Sequence, residues 1–154
     1  MNLYLVQHGT AVTKDIDPDR PLSPQGEQDV RQLAEFLDKC GVHVERLLHS
    51  GKLRARQTAT ILADKLLLDG EIEAVSDIDP NDSVAAFSPT ARKFKQDTLL
   101  VGHLPFLAKL VAHLTTGNDE LTIVDYTPGS IICLERKVEN GWRIRWMLRP
   151  DLIK

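Results

Sequence analysis

Asn2-Leu3-Tyr4-Leu5-Val6-Gln7-His8-Gly9-Thr10 is the stretch from which the rest of the chain is read. Leu3 to Val6 is a near-continuous apolar, β-prone run, the pattern of a strand buried on both faces of a parallel sheet. The run stops abruptly at Gln7 and His8. In open α/β sheets ligands bind just beyond the carboxyl ends of the strands, so this ending offers His8 to a site. Gly9 suits such a place, because a residue without Cβ lets the backbone turn sharply and a ligand approach closely. One His-Gly pair is weak by itself, and its weight depends on what the other strands bring to the same rim.

Two later stretches repeat the arrangement. Arg46-Leu47-Leu48-His49-Ser50 reads as a strand, and from Gly51 onward Leu53, Ala55, Ala59, Leu62, Ala63 and Leu66 keep helical spacing. Arg54 and Arg56 fall in the first turns of that helix, where the macrodipole disfavours positive charge and a nearby anion would resolve the conflict. Thr98-Leu99-Leu100-Val101 is a further buried strand, ending at Gly102-His103 and followed by apolar helical spacing from Leu104 to Leu114. Between the first two strands, Lys14 to Arg20 is a charged loop. Ser23 then caps a helix, with Pro24 at its first position and Glu27 in its first turn. Val30, Leu33, Ala34 and Leu37 form the apolar stripe of that helix to about Asp38, and Gly41 ends it.

The remaining pieces are shorter. Ile72 to Val75 is expected as a third strand, and Pro80-Asn81-Asp82-Ser83 caps a helix through about Phe87. Near the C-terminus, Gly129 to Glu135, an Asn140-Gly141 turn and the strictly alternating Trp142-Arg143-Ile144-Arg145-Trp146 predict an antiparallel hairpin with one face packed and one wet. Strands alternating with helices and closed by a hairpin imply an α/β fold, a three-layer α/β/α sandwich with a mixed, mainly parallel central sheet. Three strand ends then converge on one rim, carrying His8, the Ser50 to Arg54 segment and His103.

The totals bound the function. The 154 residues suit one domain over 1–154, and 42% hydrophobic with 27% charged residues is an ordinary globular mix. A net charge of -3 argues against a nucleic-acid surface, which needs dense Lys/Arg patches. No apolar run approaches the roughly 18 residues that span a bilayer. Cys40 and Cys133 are far apart and no secretory leader pattern is seen, so both are expected as reduced, buried thiols in a cytoplasmic protein with no membrane partner.

Two histidines and an arginine with no obvious acidic neighbour suit a phosphoryl group, because a guanidinium is a planar fork of donors and a neutral imidazole can be a nucleophile. The five histidines show no His-x-x-His, no His-Glu-x-x-His and no His-carboxylate cluster, so neither a metal nor another cofactor is expected. His43, His49 and His113 read as surface or core-satisfied residues. No Gly-x-Ser-x-Gly elbow, P-loop or Gly-x-Gly-x-x-Gly occurs.

The strand ending His8-Gly9, the helix entry Arg20-Pro21-Leu22-Ser23, the block Ser50-Gly51-Lys52-Leu53-Arg54-Ala55-Arg56-Gln57-Thr58 and Gly102-His103-Leu104-Pro105, in this order, resemble the histidine phosphatase (phosphoglycerate mutase-like) superfamily. The short length is similar to that of its SixA-type phosphohistidine phosphatases. The resemblance implies that His8 is the nucleophile, Arg54 a phosphate clamp and His103 a second donor to the phosphoryl oxygens. It further implies that Gln7, Gly9 and Arg20 line the phosphate site. The partner implied is a phosphorylated protein, such as a phosphohistidine-bearing domain, or else a small phosphorylated substrate.

Two departures qualify what is expected of the site. The family has Arg directly before the nucleophile where this chain has Gln7. A neutral donor contributes roughly 0.5–1.5 kcal/mol where a charged one contributes about 1.5–3. A slower phosphatase is therefore expected, with a non-catalytic phosphate-binding relative as the alternative. Larger relatives insert a subdomain bearing a general acid, and here only the short Ser76 to Arg92 region stands in that place. Asp77 is the candidate acid, and a phosphohistidine substrate needs less acid help, because protonated imidazole leaves more easily than an alkoxide.

Overall fold

The computed structural model describes residues 1–137 and 141–153. Its elements are β1 (Asn2–Gln7), α1 (Pro24–Lys39), β2 (Arg46–His49), α2 (Leu53–Leu66), β3 (Glu73–Ala74), α3 (Val84–Arg92), β4 (Thr98–Gly102), α4 (Phe106–Thr116), β5 (Ile131–Lys137) and β6 (Gly141–Leu148), with a 3-10 turn at Pro150–Leu152. The strands form one sheet in the order β3-β2-β4-β1-β5-β6. β3, β2, β4 and β1 run parallel, while β5 and β6 are antiparallel. The fold is thus the expected three-layer sandwich with a mixed, mainly parallel sheet and a C-terminal hairpin.

Alternation along the strands builds the two outer layers. Leu3, Leu5, Leu48 and Leu100 point to one face, where α3 and α4 supply Phe87, Ala91, Phe106, Leu107 and Leu110. Tyr4, Val6, Leu47, Leu99 and Val101 point to the other, against Val30, Leu33 and Leu37 of α1 and Ala55, Ala59 and Leu62 of α2. Leu100 is fully buried at mid-sheet, and its truncation to Ala would cost about 2–5 kcal/mol.

This layering positions the site. β1 and β4 are parallel neighbours, yet the chain leaves β1 toward α1 on one face and leaves β4 into α4 on the other. Connections that diverge from adjacent parallel strands open a crevice at their carboxyl ends, the topological switch point where α/β proteins bind ligands. Residues 8 and 103 lie at that crevice.

Local signals explain α1 well. The Ser23 hydroxyl accepts the Gly26 N–H at 3.0 Å, Pro24 opens the helix, and Gly41, at φ 77, donates its N–H to the Asp38 carbonyl. Several expectations are corrected. Strand β3 is only Glu73–Ala74 rather than Ile72 to Val75, a short exposed edge. Helix α3 runs past Phe87 to Arg92 despite Pro89, because Ser88 and Ala91 continue its buried stripe. Cys133 is buried as expected, but Cys40 is exposed, since it forms the C-cap of α1 rather than part of its apolar stripe.

The hairpin departs from strict alternation. Cys133 faces Trp146 while Leu134 faces Ile144, so Arg145 is an extra residue at a β-bulge. The bulge reverses the side-chain parity beyond it. Trp142 therefore packs in the α3/α4 core, Trp146 packs beside Tyr4 on the opposite face, and Ile144 is left 44% exposed. Asn140 of the expected Asn-Gly turn lies outside the described residues. No described helix is long and apolar enough to cross a membrane.

Candidate active site

The backbone brings the two strand-end histidines together. The His8 N–H donates to the Gly102 carbonyl at 3.1 Å, extending the β1–β4 ladder by one residue, and the His8 and His103 rings lie 5.1 Å apart at 52°. His8 Nδ1 is 2.7 Å from the Gly9 carbonyl oxygen. A carbonyl only accepts, so Nδ1 carries the proton and Nε2 is left with its lone pair. Arg54 Nε donates to that Nε2 at 3.3 Å. The nitrogen best placed to attack an electrophile thus sits beside a guanidinium.

The loop after β1 is fixed by packing that only glycine permits. A Cβ on Gly9 would stand 2.8 Å from Val30 Cγ2 and 3.1 Å from the Gly26 carbonyl oxygen, and one on Gly26 would collide with the Thr10 carbonyl. The Gly9 N–H donates to Thr58 Oγ1 at 3.0 Å, and the Thr58 hydroxyl in turn donates to the Arg54 carbonyl at 2.8 Å. Thr58 thereby ties the backbone beside His8 to the helical turn that carries Arg54. Gln57 Oε1 accepts the Leu22 N–H at 2.8 Å, holding the entry to α1 against the same helix.

His103 is arranged the other way round. Its Nε2 is 2.6 Å from Ser50 Oγ at the end of β2, while its Nδ1 is buried without a partner among the described residues. If the Ser50 hydroxyl donates to Nε2, then Nδ1 bears a proton with no acceptor. Gln7 Oε1 is also buried and unpartnered. Gln7 shares the sheet face of Leu3 and Leu5, the face covered by α4, whereas Arg54 rises from α2 on the other. Buried polar atoms are rarely left unpaired, so two of them at this rim suit a place for a polar ligand.

Electrostatics keeps both rings neutral. Burial pushes His8 down to about 4, assisted by the charges of Arg54 and Arg20 and opposed by its hydrogen bond to Gly9. Burial lowers His103 to about 3, with His8, Arg54, Lys52 and Arg20 adding to the effect. Burial lowers Arg54 as well, followed by the charge of Arg20, while Asp79 acts in the opposite sense. Arg20 adopts φ 48, and its Nε donates to the Val12 carbonyl at 3.1 Å. Its charge is felt by all three groups.

Of the residues expected from the sequence, His8, Gly9, Arg54 and His103 are brought into contact or near contact, Arg20 faces them electrostatically, and Gln7 is buried beside them. Asp77 is not grouped with them. Its carboxylate accepts from Ser76 Oγ at 3.3 Å, and it lines a groove with Arg46, Asp82 and Thr90 between β2 and α3. The nearer carboxylate is Asp79, which lies 4.0 Å from Lys52 Nζ and whose charge reaches Arg54. Sequence reading missed the supporting roles of Ser50, Thr58, Gln57 and Gly26. Thr58 left a signal: it is a fully buried polar residue on the same stripe as Ala55, Ala59 and Leu62, where an unpaired hydroxyl would be costly. Among the described residues no three His, Cys, Asp or Glu side chains cluster as a metal site requires.

A neutral imidazole whose Nε2 accepts from a guanidinium, with a second neutral imidazole 5.1 Å away, forms a set suited to an anionic tetrahedral group. Comparison with known proteins places the chain in a family. Residues 3–78 match the family model of the histidine phosphatase superfamily (branch 1). The chain is 28% identical over 159 aligned positions to phosphohistidine phosphatase SixA of Escherichia coli (strain K12), covering 100% of this chain and 97% of that protein. It is 35% identical over 128 residues to an uncharacterized protein of Picosynechococcus sp., covering 77% of each. The solved structure of the protein histidine phosphatase SixA complexed with tungstate superposes with a TM-score of 0.89 at 27% identity, covering 100% of both chains. The fold, the crevice between β1 and β4 and these likenesses agree: the chain belongs to the histidine phosphatase superfamily.

Proposed function

We propose that this protein is a metal-independent phosphatase that removes phosphoryl groups from protein phosphohistidine through a covalent intermediate on His8. The observation that carries the reading is the state of the His8 ring, with Nδ1–H held by Gly9 and the unprotonated Nε2 facing Arg54. In the first step, with the substrate ring protonated on its other nitrogen, Nε2 attacks phosphorus, the P–N bond breaks, and the ring leaves as a neutral imidazole that keeps that proton. His8 then carries phosphate on Nε2 and the original proton on Nδ1. The Gly9 carbonyl offsets the positive charge of this ring. In the second step water attacks phosphorus, the P–Nε2 bond breaks, and inorganic phosphate leaves with His8 neutral again.

The other residues act on the phosphoryl oxygens. Arg54 and Arg20 supply the positive charge, and His103 donates from Nδ1, the tautomer favoured when Ser50 donates to Nε2. Holding the group in line between fixed donors is most of what phosphoryl transfer asks of a protein. The likeness to a phosphohistidine phosphatase, and to a relative that holds tungstate, a phosphate analogue, supports this reading.

Rapid-quench mixing with a radiolabelled phosphohistidine protein tests the proposal. The expected result is a burst of acid-labile, base-stable label on the wild type and none on His8→Ala. Tight phosphate binding with neither label nor turnover would instead make the protein a phosphate-binding relative that has lost its activity.

A further inference from the structure

The crevice does not end at Arg54. It opens into a cleft of ≈ 490 Å³, far more than a phosphoryl group fills, whose charged lining is Lys14, Arg20, Lys52, Arg54 and Arg56 against the single carboxylate of Asp19. In a chain of net charge -3 this is an uneven distribution. Elsewhere Arg46 is paired with Glu73, Lys137 and Arg145 with Glu135, and Arg149 with Asp125. In the cleft, Lys52 has only Asp79 at 4.0 Å, and Lys14, Arg20 and Arg56 have no ion pair among the described residues.

The nearby acids are otherwise engaged. Asp15 is held low chiefly by a hydrogen bond with Thr13, and Asp17 Oδ1 accepts the Asp19 N–H at 2.9 Å. Helix α2, which forms one wall, has neither a side-chain cap nor an acidic residue in its first turn, so its N-terminal dipole adds to the same positive field. Like charges gathered without counter-charges repel one another, and an anionic surface laid across them relieves that repulsion.

Resting on the phosphatase reading above, we infer that this cleft docks the acidic surroundings of the phosphorylated residue on a protein substrate. Arg54 and Arg20 hold the phosphoryl group, while Lys14 and Arg56 meet carboxylates flanking it. A protein rim fits better than a small doubly charged metabolite. Lys14 comes from the β1–α1 loop and Arg56 from α2, both are exposed, and neither is braced by another side chain as a compact second-anion pocket would require. Long flexible cations spread over an open cleft suit a matching spread of carboxylates, which raises encounter rate and selectivity together.

The test uses two synthetic phosphohistidine peptides, alike except that the flanking residues are Asp and Glu in one and Ser and Gln in the other, with free phosphoramidate as a third substrate. The wild type should turn over the acidic peptide with kcat/KM about 10-fold higher at low salt, and the two should converge as salt rises. The double variant Lys14→Glu/Arg56→Glu should lose that preference through KM, with kcat and phosphoramidate turnover unchanged. Equal kcat/KM for the two peptides on the wild type, or a preference that survives the charge reversal, would overturn the docking role. So would competitive inhibition by a small bis-anion stronger than that by the unphosphorylated acidic peptide. Phosphoramidate turnover reports on the phosphatase reading by itself, so a failure there is distinguishable from a failure of docking.

Discussion

His8 and His103 occupy matching places and are prepared for opposite tasks. Each follows a buried strand of the parallel sheet, each is nearly buried, and each is held neutral, at about 4 and about 3. Their hydrogen bonds differ. His8 is tethered through Nδ1 to a carbonyl, which exposes a lone pair on Nε2; His103 is tethered through Nε2 to a hydroxyl, which leaves Nδ1 without a partner. In the proposed mechanism the ring held by an acceptor is the nucleophile, and the ring held by a hydroxyl that can donate is the donor. Placement at a strand end thus makes a histidine available, and the tether decides what it does.

Removing each ring should show the asymmetry most strongly. His8→Ala is expected to lower kcat by about 10⁴-fold or more, because no other group stands ready to take the phosphoryl group. His103→Ala should lower it by about 10²–10³-fold, the usual effect of losing one transition-state donor, while still forming the phosphoenzyme. Equal losses, or a phosphoenzyme that persists in His8→Ala, would break the distinction.

Acid should act on both rings at once. Their pKa values lie below the ordinary 6.5 in the folded protein, so between pH 6.5 and about 3 the unfolded chain binds more protons than the native one. Stability is therefore fully present above about pH 6.5 and falls as pH drops through that window. Chemical denaturation at a series of pH values should show a shallower acid loss for His8→Ala/His103→Ala than for the wild type. NMR titration of the wild type should find both imidazoles neutral at pH 5.5.

The tethers themselves come next. Ser50→Ala should cost on the order of 10-fold in kcat, about the value of one neutral hydrogen bond, with Ser50→Thr restoring most of it, while the fraction of enzyme phosphorylated on His8 stays unchanged. The smallest effect expected is that of Gln7→Arg, equal to the wild type or up to about 10-fold faster, the difference between a neutral and a charged donor. A strong loss in that variant would mean that Gln7 has a task of its own.

Much of this arrangement was legible in the sequence because it is written in local signals. The apolar runs at Leu3–Val6 and Thr98–Val101, each closing on a histidine, gave both the parallel sheet and the rim, and Ser23-Pro24 gave the start of α1. What escaped depended on register or on contacts distant along the chain. The bulge at Arg145 adds one residue to a well-alternating pattern and moves Trp146 to the opposite core, which no window of sequence reveals. Ser50 and Thr58 act by reaching His103 and Gly9, 53 and 49 positions away. The placing of Asp77 depended on the β3–α3 loop, where Asp77 itself turns to φ 66 and Asp79, not Asp77, makes itself felt at Arg54.

The nitrogen that carries phosphate tests the account most directly. Phosphorus and nitrogen NMR of the trapped phosphoenzyme should place the phosphoryl group on Nε2 of His8, with Nδ1 still protonated and hydrogen-bonded to Gly9. Phosphate on Nδ1 of His8, or on His103, would contradict the assignment of nucleophile and donor from which the proposed mechanism is built.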